Sequence, residues 1–127
     1  AVSVRPRATA ALNNLGNTLL RQKKLDEAIA VYRRALEIDA NFAAAHNGLG
    51  IALKDQDKLD EAITHFRRAS ELDPKVGQTN LGILLSERLK VYDKAVAAFR
   101  TAVALNPKDF NAHVGLGRAL TDMGELD

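Results

Sequence analysis

Apolar residues recur along this chain as two alternating helical stripes. Leu12, Leu15, Gly16, Leu19 and Leu20 fall at i, i+3, i+4, i+7 and i+8, which predicts an amphipathic helix, helix A. A polar turn through Gln22, Lys23 and Lys24 follows, and a second stripe of Ala28, Ile29, Tyr32, Ala35, Leu36 and Ile38 predicts helix B. Both stripes then return at a fixed interval. Leu15 and Leu49, Gly16 and Gly50, Ala28 and Ala62, Tyr32 and Phe66, and Ala35 and Ala69 are each 34 residues apart. A period in that range marks a solenoid, in which a unit cannot bury its apolar face alone and stacks on its neighbour. Binding then belongs to an extended surface rather than to a pocket.

Asp26, Asp60 and Asp93 stand where N-caps of helix B are expected. Pro74 and Pro107, with a missing donor and a fixed φ, end one repeat and open the next. Short turns make A and B antiparallel neighbours. A glycine inside a helix costs about 1 kcal/mol relative to alanine, yet Gly16, Gly50, Gly82 and Gly117 all lie in A stripes. Their missing Cβ is expected to let helix B approach, with Ala28, Ala62 and Ala95 opposite. The rings of Tyr32, Phe66 and Phe99 then fill the space between repeats.

The register drifts in the third copy. Two fewer residues separate Pro74 from Gly82 than Ala40 from Gly50, and Gly82 to Ala95 is one residue longer than Gly50 to Ala62. The third helix A is therefore expected to begin late, with the extra residue in the Leu89 to Val91 turn.

Leu15-Gly16 with Ala28, Tyr32 and Ala35 resembles the tetratricopeptide repeat pattern of Leu-Gly, Ala, aromatic, Ala and a terminal Pro. Leu49, Gly50, Ala62, Phe66, Ala69 and Pro74 match it more fully, as do Leu81, Gly82, Ala95, Phe99, Ala102 and Pro107. The resemblance implies an all-α, right-handed solenoid of antiparallel helix pairs, a tetratricopeptide superhelix of seven helices. It divides the chain into a segment 1–8 outside the repeats, repeats at 9–42, 43–74 and 75–109, and helix A of an incomplete fourth repeat at 110–127. The first segment reads as a vector scar or the frayed end of a preceding helix. Asp127 stands where a fourth helix B would be capped, so Val114, Leu116, Ala119 and Leu120 are expected to want a further partner. Where the family carries an aromatic near the start of helix A, this chain has Leu12, His46, Gln78 and His113.

Composition narrows the chemistry. Hydrophobic residues make up 46% of the 127, but aromatics only 5%, a mix suited to close helix packing. Cysteine is absent, which removes disulfides, thiolate metal sites and cysteine nucleophiles. No apolar run approaches the roughly 18 residues of a membrane span. Arg5 and Arg7 precede no apolar stretch, so the start does not read as a signal peptide. His46 and His113 occupy equivalent places in different A helices, while His65 lies on a B helix. No pair has the i, i+3 or i, i+4 spacing of ligands on one helix face, so they read as packing or surface residues. Asp26-Glu27 and Asp60-Glu61 read as helix caps and first-turn charges. No catalytic residue, metal or cofactor is expected, and the chain reads as a non-enzyme.

Arg33-Arg34, Arg67-Arg68 and Arg100 recur on helix B and could form a basic column. Nucleic acid would need that column unneutralised and accompanied by exposed aromatics. Glu37 at i+4 from Arg33 and Glu71 at i+4 from Arg67 offer local pairing, and the net charge is +2. Neither a nucleic-acid nor a membrane partner is expected.

In tetratricopeptide arrays helix A lines the inner, concave surface. Transferred onto this chain, the resemblance implies a groove of Asn13, Asn14, Asn17 and Arg21, then Asn47, Ile51 and Lys54, then Thr79, Asn80 and Ile83, and lastly Asn111, Val114 and Arg118. An asparagine amide both donates and accepts, so it can match the N–H and C=O of an extended peptide without reading side chains. Asn14 and Asn80 precede the Leu-Gly pair and resemble the asparagine ladder of superhelical arrays such as that of O-linked N-acetylglucosamine transferase, interrupted at Gly48 and Gly115. Carboxylate-clamp members, which grip acidic C-termini of heat-shock chaperones, are similar at Asn17. They need lysine where Asn13 stands, asparagine at Gly48 and basic residues at Val76 and Asn80. The implied function is a non-catalytic protein-interaction scaffold that binds an extended, mixed polar and apolar segment. The alternatives are self-assembly through the incomplete C-terminal repeat, or the repeat array of a larger enzyme.

Overall fold

The computed structural model describes residues 4–125. Its described residues form seven helices and no strand: α1 (Val4–Arg21), α2 (Leu25–Ile38), α3 (Ala43–Asp55), α4 (Leu59–Leu72), α5 (Gln78–Ile83), α6 (Tyr92–Leu105) and α7 (Phe110–Glu125). Without a break, α5 continues into a π-helical turn, Leu84–Arg88. The A helices are α1, α3, α5 and α7, each of the first three paired with the B helix that follows it. Every B helix also packs on the next A helix, which makes the stack continuous.

The aromatic of each helix B is the centre of that stack. Tyr32, Phe66 and Phe99 are fully buried, beside Leu49, Leu53 and Leu84. Tyr32 is held between two glycines: a Cβ on Gly16 of its own repeat, or on Gly48 of the next, would collide with its ring carbons. Phe99 is held the same way by Gly82 and Gly115, and Phe66 lies against Gly50. Close packing of a ring on bare backbone offsets the helix-propensity cost of these glycines.

The A-to-B turns are set by backbone, which corrects the expected caps. Lys23, Asp57 and Lys90 adopt left-handed φ values of 64°, 65° and 58°. The next N–H of each, on Lys24, Lys58 and Val91, reaches back to the carbonyls of Leu19, Leu53 and Leu85. Lys24, Lys58 and Val91 therefore hold the N-cap position without a side-chain bond, and Asp26, Asp60 and Asp93 fall in the first turn. There their charge complements the helix dipole. The B-to-A turns are Asx turns: side chains of Asp39, Asp73 and Asn106 accept the N–H of Asn41, Lys75 and Lys108 at 3.0, 3.1 and 3.3 Å.

The third repeat shows both register changes. Gly77, at φ 93°, starts α5, and a Cβ there would strike the Phe66 carbonyl and the Ser70 hydroxyl. The extra residue expected in the Leu89 to Val91 turn lies instead within the helix, as the π turn. Lys90 keeps the left-handed φ of Lys23 and Asp57, so the turn proper is unchanged. A widened helical turn keeps its hydrogen bonds, whereas a bulge in this tight turn would break the backbone pattern that starts helix B.

At the start, α1 is already helical from Val4, with Pro6 in its first turn where no intrahelical donor is needed. The boundary expected at residue 9 is thus not a helix end. The role read for Asp127 lies outside the described residues. The arginine pairings also differ from the i+4 expectation: Arg33 meets Glu61 of the next repeat at 3.8 Å, and Glu71 is taken by Arg68 at 3.2 Å.

Candidate functional site

Polar side chains of the A helices join the second repeat to the third, and the third to the start of α7. Asn80 Nδ2 donates to Asn47 Oδ1 at 3.0 Å, joining the second and third repeats. Thr79 Oγ1 donates to Asp109 Oδ2 at 2.8 Å, joining the third to α7. Asp109 also caps α7, accepting the Ala112 N–H on Oδ1 at 3.1 Å.

On α1 the polar residues are committed unequally. Asn17 Oδ1 accepts the Tyr32 hydroxyl at 2.5 Å. Burial raises the Tyr32 phenol above its ordinary value, opposed by the charge of Arg21, so the hydroxyl stays a donor. Asn14 is exposed, its carbonyl accepting Thr18 Oγ1 at 3.1 Å, and Arg21 reaches Thr18 Oγ1 at 3.4 Å. Asn13 Oδ1 is buried and has no partner among the described residues.

At the other end, Ile83, Asn111, Val114 and Arg118 come together around a cavity of about 190 Å³ above Phe99. Glu87, on the π turn, lines it too and accepts from Arg118 Nη1 at 3.4 Å. Ile51 and Lys54 lie outside this cavity and are half-buried, Ile51 against the core. Glu87 and Asp109 were not among the residues read from sequence. Glu87 is one turn beyond Ile83 on the same stripe, so extending that stripe would have found it.

The histidines do more than their spacing suggested. Nε2 of His46 lies 2.9 Å from the Ala40 carbonyl, and Nε2 of His113 lies 2.7 Å from the Pro107 carbonyl, so each ties the start of its A helix to the preceding turn. A carbonyl only accepts, so Nε2 carries the proton in both. His46 Nδ1 also lies 3.0 Å from His65 Nδ1, with the rings stacked at 25°. Burial lowers the His65 pKa first, then the charges of His46 and Arg33, while Glu61 opposes them. The described residues hold no group of three or more His, Cys, Asp or Glu able to hold a metal ion, and no helix among them is long and apolar enough to cross a membrane.

Family models described as TPR repeat and tetratricopeptide repeat match residues 16–57, 43–76 and 79–127. No curated protein sequence matches the chain. Among solved structures, the Arabidopsis OM64 TPR domain is similar with a TM-score of 0.84 at 23% identity, over 92% of this chain and 98% of that one. The first TPR of Spaghetti (RPAP3), bound to the HSP90 peptide SRMEEVD, gives 0.84 at 20% identity over 93% and 94%. Pseudomonas aeruginosa pilF gives 0.88 at 27% identity, over 94% of this chain but 55% of that one.

Proposed function

Because this chain belongs to the tetratricopeptide repeat family, whose domains are protein-protein interaction modules, we propose that it is a non-catalytic scaffold that binds an extended peptide segment along the A helices. The observation that carries this reading is the Asn47–Asn80 pair. Its single mutual bond leaves the Asn47 amide donors and the Asn80 carbonyl without a further partner among the described residues. One donor and one acceptor side by side match the C=O and N–H that an extended backbone presents. Ile51 and Ile83 flank the pair with apolar surface. The segment favoured is neutral and mixed in character. The Spaghetti domain holds a peptide ending in Glu-Glu-Val-Asp, whereas Asn13, Gly48, Val76 and Asn80 put no cation at the clamp positions of this chain.

Replacing Asn13, Asn14, Asn47 and Asn80 together by alanine should weaken binding of a selected peptide while helicity is kept and stability falls by no more than about 0.5 to 1.5 kcal/mol, the worth of the Asn47–Asn80 bond. Unchanged affinity would sink the reading.

A second reading, self-association through α7, is favoured by Gly117. A Cβ added there would meet no side chain or neighbouring helix within 4 Å among the described residues, whereas at Gly16, Gly50 and Gly82 it would meet an aromatic ring. Val114 and Leu120 on the same helix are 42% and 38% exposed. Light scattering over a concentration series decides it, and a monomer throughout rules it out.

A further inference from the structure

Between α2 and α4 the B helices are bridged and filled. Arg33 on α2 meets Glu61 on α4 at 3.8 Å, and His65 of α4 stacks on His46. One repeat later the register puts Arg67 in the place of Arg33, since each follows the central aromatic. Lys94 takes the place of Glu61, Ala98 that of His65 and Gln78 that of His46. The bridging carboxylate has become a second cation, and an imidazole has become a methyl.

The result is a groove of about 250 Å³ between α4 and α6, with Leu81, Leu85 and Ala98 beneath and Arg67 and Lys94 on its walls. Neither cation has a hydrogen bond or ion pair among the described residues. Glu71 lines the adjoining space with Arg67, but its carboxylate is held by Arg68. Two unpaired cations beside apolar surface favour an anion brought together with an apolar group.

We propose that this groove is a second docking site, on the helix B side, for an acidic amphipathic segment of a partner protein. One carboxylate of the segment lies between Arg67 and Lys94, and an apolar side chain enters over Leu81 and Leu85, where His65 fills the equivalent space one repeat earlier. The filled groove between α2 and α4 is the template for the occupied state, and the site is independent of the asparagine face.

The test uses random dodecapeptides displayed on phage and selected on the whole chain. One class of the selected peptides should combine Asp or Glu with Leu, Ile or Phe. Their affinity should fall about tenfold on the double variant Lys94→Glu/Ala98→His, which rebuilds the filled groove. The four-asparagine variant should leave it unchanged. Arg67→Gln, at an exposed position, should also weaken binding and serves if the double variant does not fold. A selection that yields no acidic peptides, or acidic peptides that are all indifferent to both groove variants, would overturn the proposal. So would a single-stranded oligonucleotide that displaces the selected peptides in a groove-dependent way, since the partner would then be nucleic acid.

Discussion

Nδ1 of His46 and Nδ1 of His65 face each other at 3.0 Å, although the residues belong to different helices. With the His46 proton on Nε2, pointed at the Ala40 carbonyl, its Nδ1 is an acceptor and His65 donates. A further proton on His65 enters at its Nε2, which leaves that hydrogen bond in place but puts a half-buried cation beside Arg33, with only Glu61 to compensate.

Acid should therefore loosen the second repeat. The folded pKa of His65 is depressed below its ordinary 6.5, so between the two values the unfolded chain binds more protons and stability rises with pH. Its contribution is complete above 6.5 and is lost as pH falls through the lower folded value. Tm followed by circular dichroism from neutral pH to about 5 should drop below 6.5. His65→Gln should flatten that drop; identical slopes in both proteins would show that the pair does not control it.

Gly48 and Gly117 both occupy A helices but should respond oppositely to alanine. At Gly48 the new methyl strikes the Tyr32 ring. Overpacking of about 1 to 3 kcal/mol then works against a propensity gain of about 1 kcal/mol, for a net loss. At Gly117 the methyl meets nothing, so only the propensity gain of up to about 1 kcal/mol remains. Urea denaturation measures both, and the opposite signs are the content of the prediction.

Tyr32→Phe should cost about 0.5 to 1.5 kcal/mol, the worth of one hydrogen bond, because Phe66 and Phe99 fill the equivalent space without a hydroxyl. In that background Asn17→Ala should cost little more. A double-mutant cycle reads the coupling, and purely additive losses would mean that the Tyr32–Asn17 contact contributes nothing.

The repeat core was legible because it is local and periodic. Ala28, Tyr32 and Ala35 announce one face of one helix, and the copies at 34-residue spacing announce what that face stacks on. The surface pairings were not. Local rules offered Glu37 to Arg33, but the stack brings Glu61 to it, and it brings His65 beside His46. Gln56 likewise reaches Asp26, and Arg88 reaches Asp57, across a full repeat. Helix spacing says nothing of a neighbour one repeat away, but the repeat register does. The asparagines could be read from sequence only as positions on the A helices, and the commitment of Asn17 to Tyr32 needed the packing of α1 on α2.

Deleting a residue from α3 and from the π turn should separate spare from essential length. Gly82 to Val91 is one residue longer than Gly50 to Lys58, and the surplus is held in Leu84–Arg88. Removing Glu87 gives the third repeat the spacing of the second. The loss is then the exposed Arg118–Glu87 pair, about 0 to 1 kcal/mol, set against relief of a rare helical geometry. Removing Asp55 shortens a stretch with no surplus. It rotates the chain that follows by about 100° and pulls either Leu53 or Leu59 from its place, which should cost about 4 kcal/mol or more. Thermal melts of the two deletions compare them directly. Equal destabilisation would mean that the π turn is a required part of the third helix A, not an inserted residue that the helix absorbs.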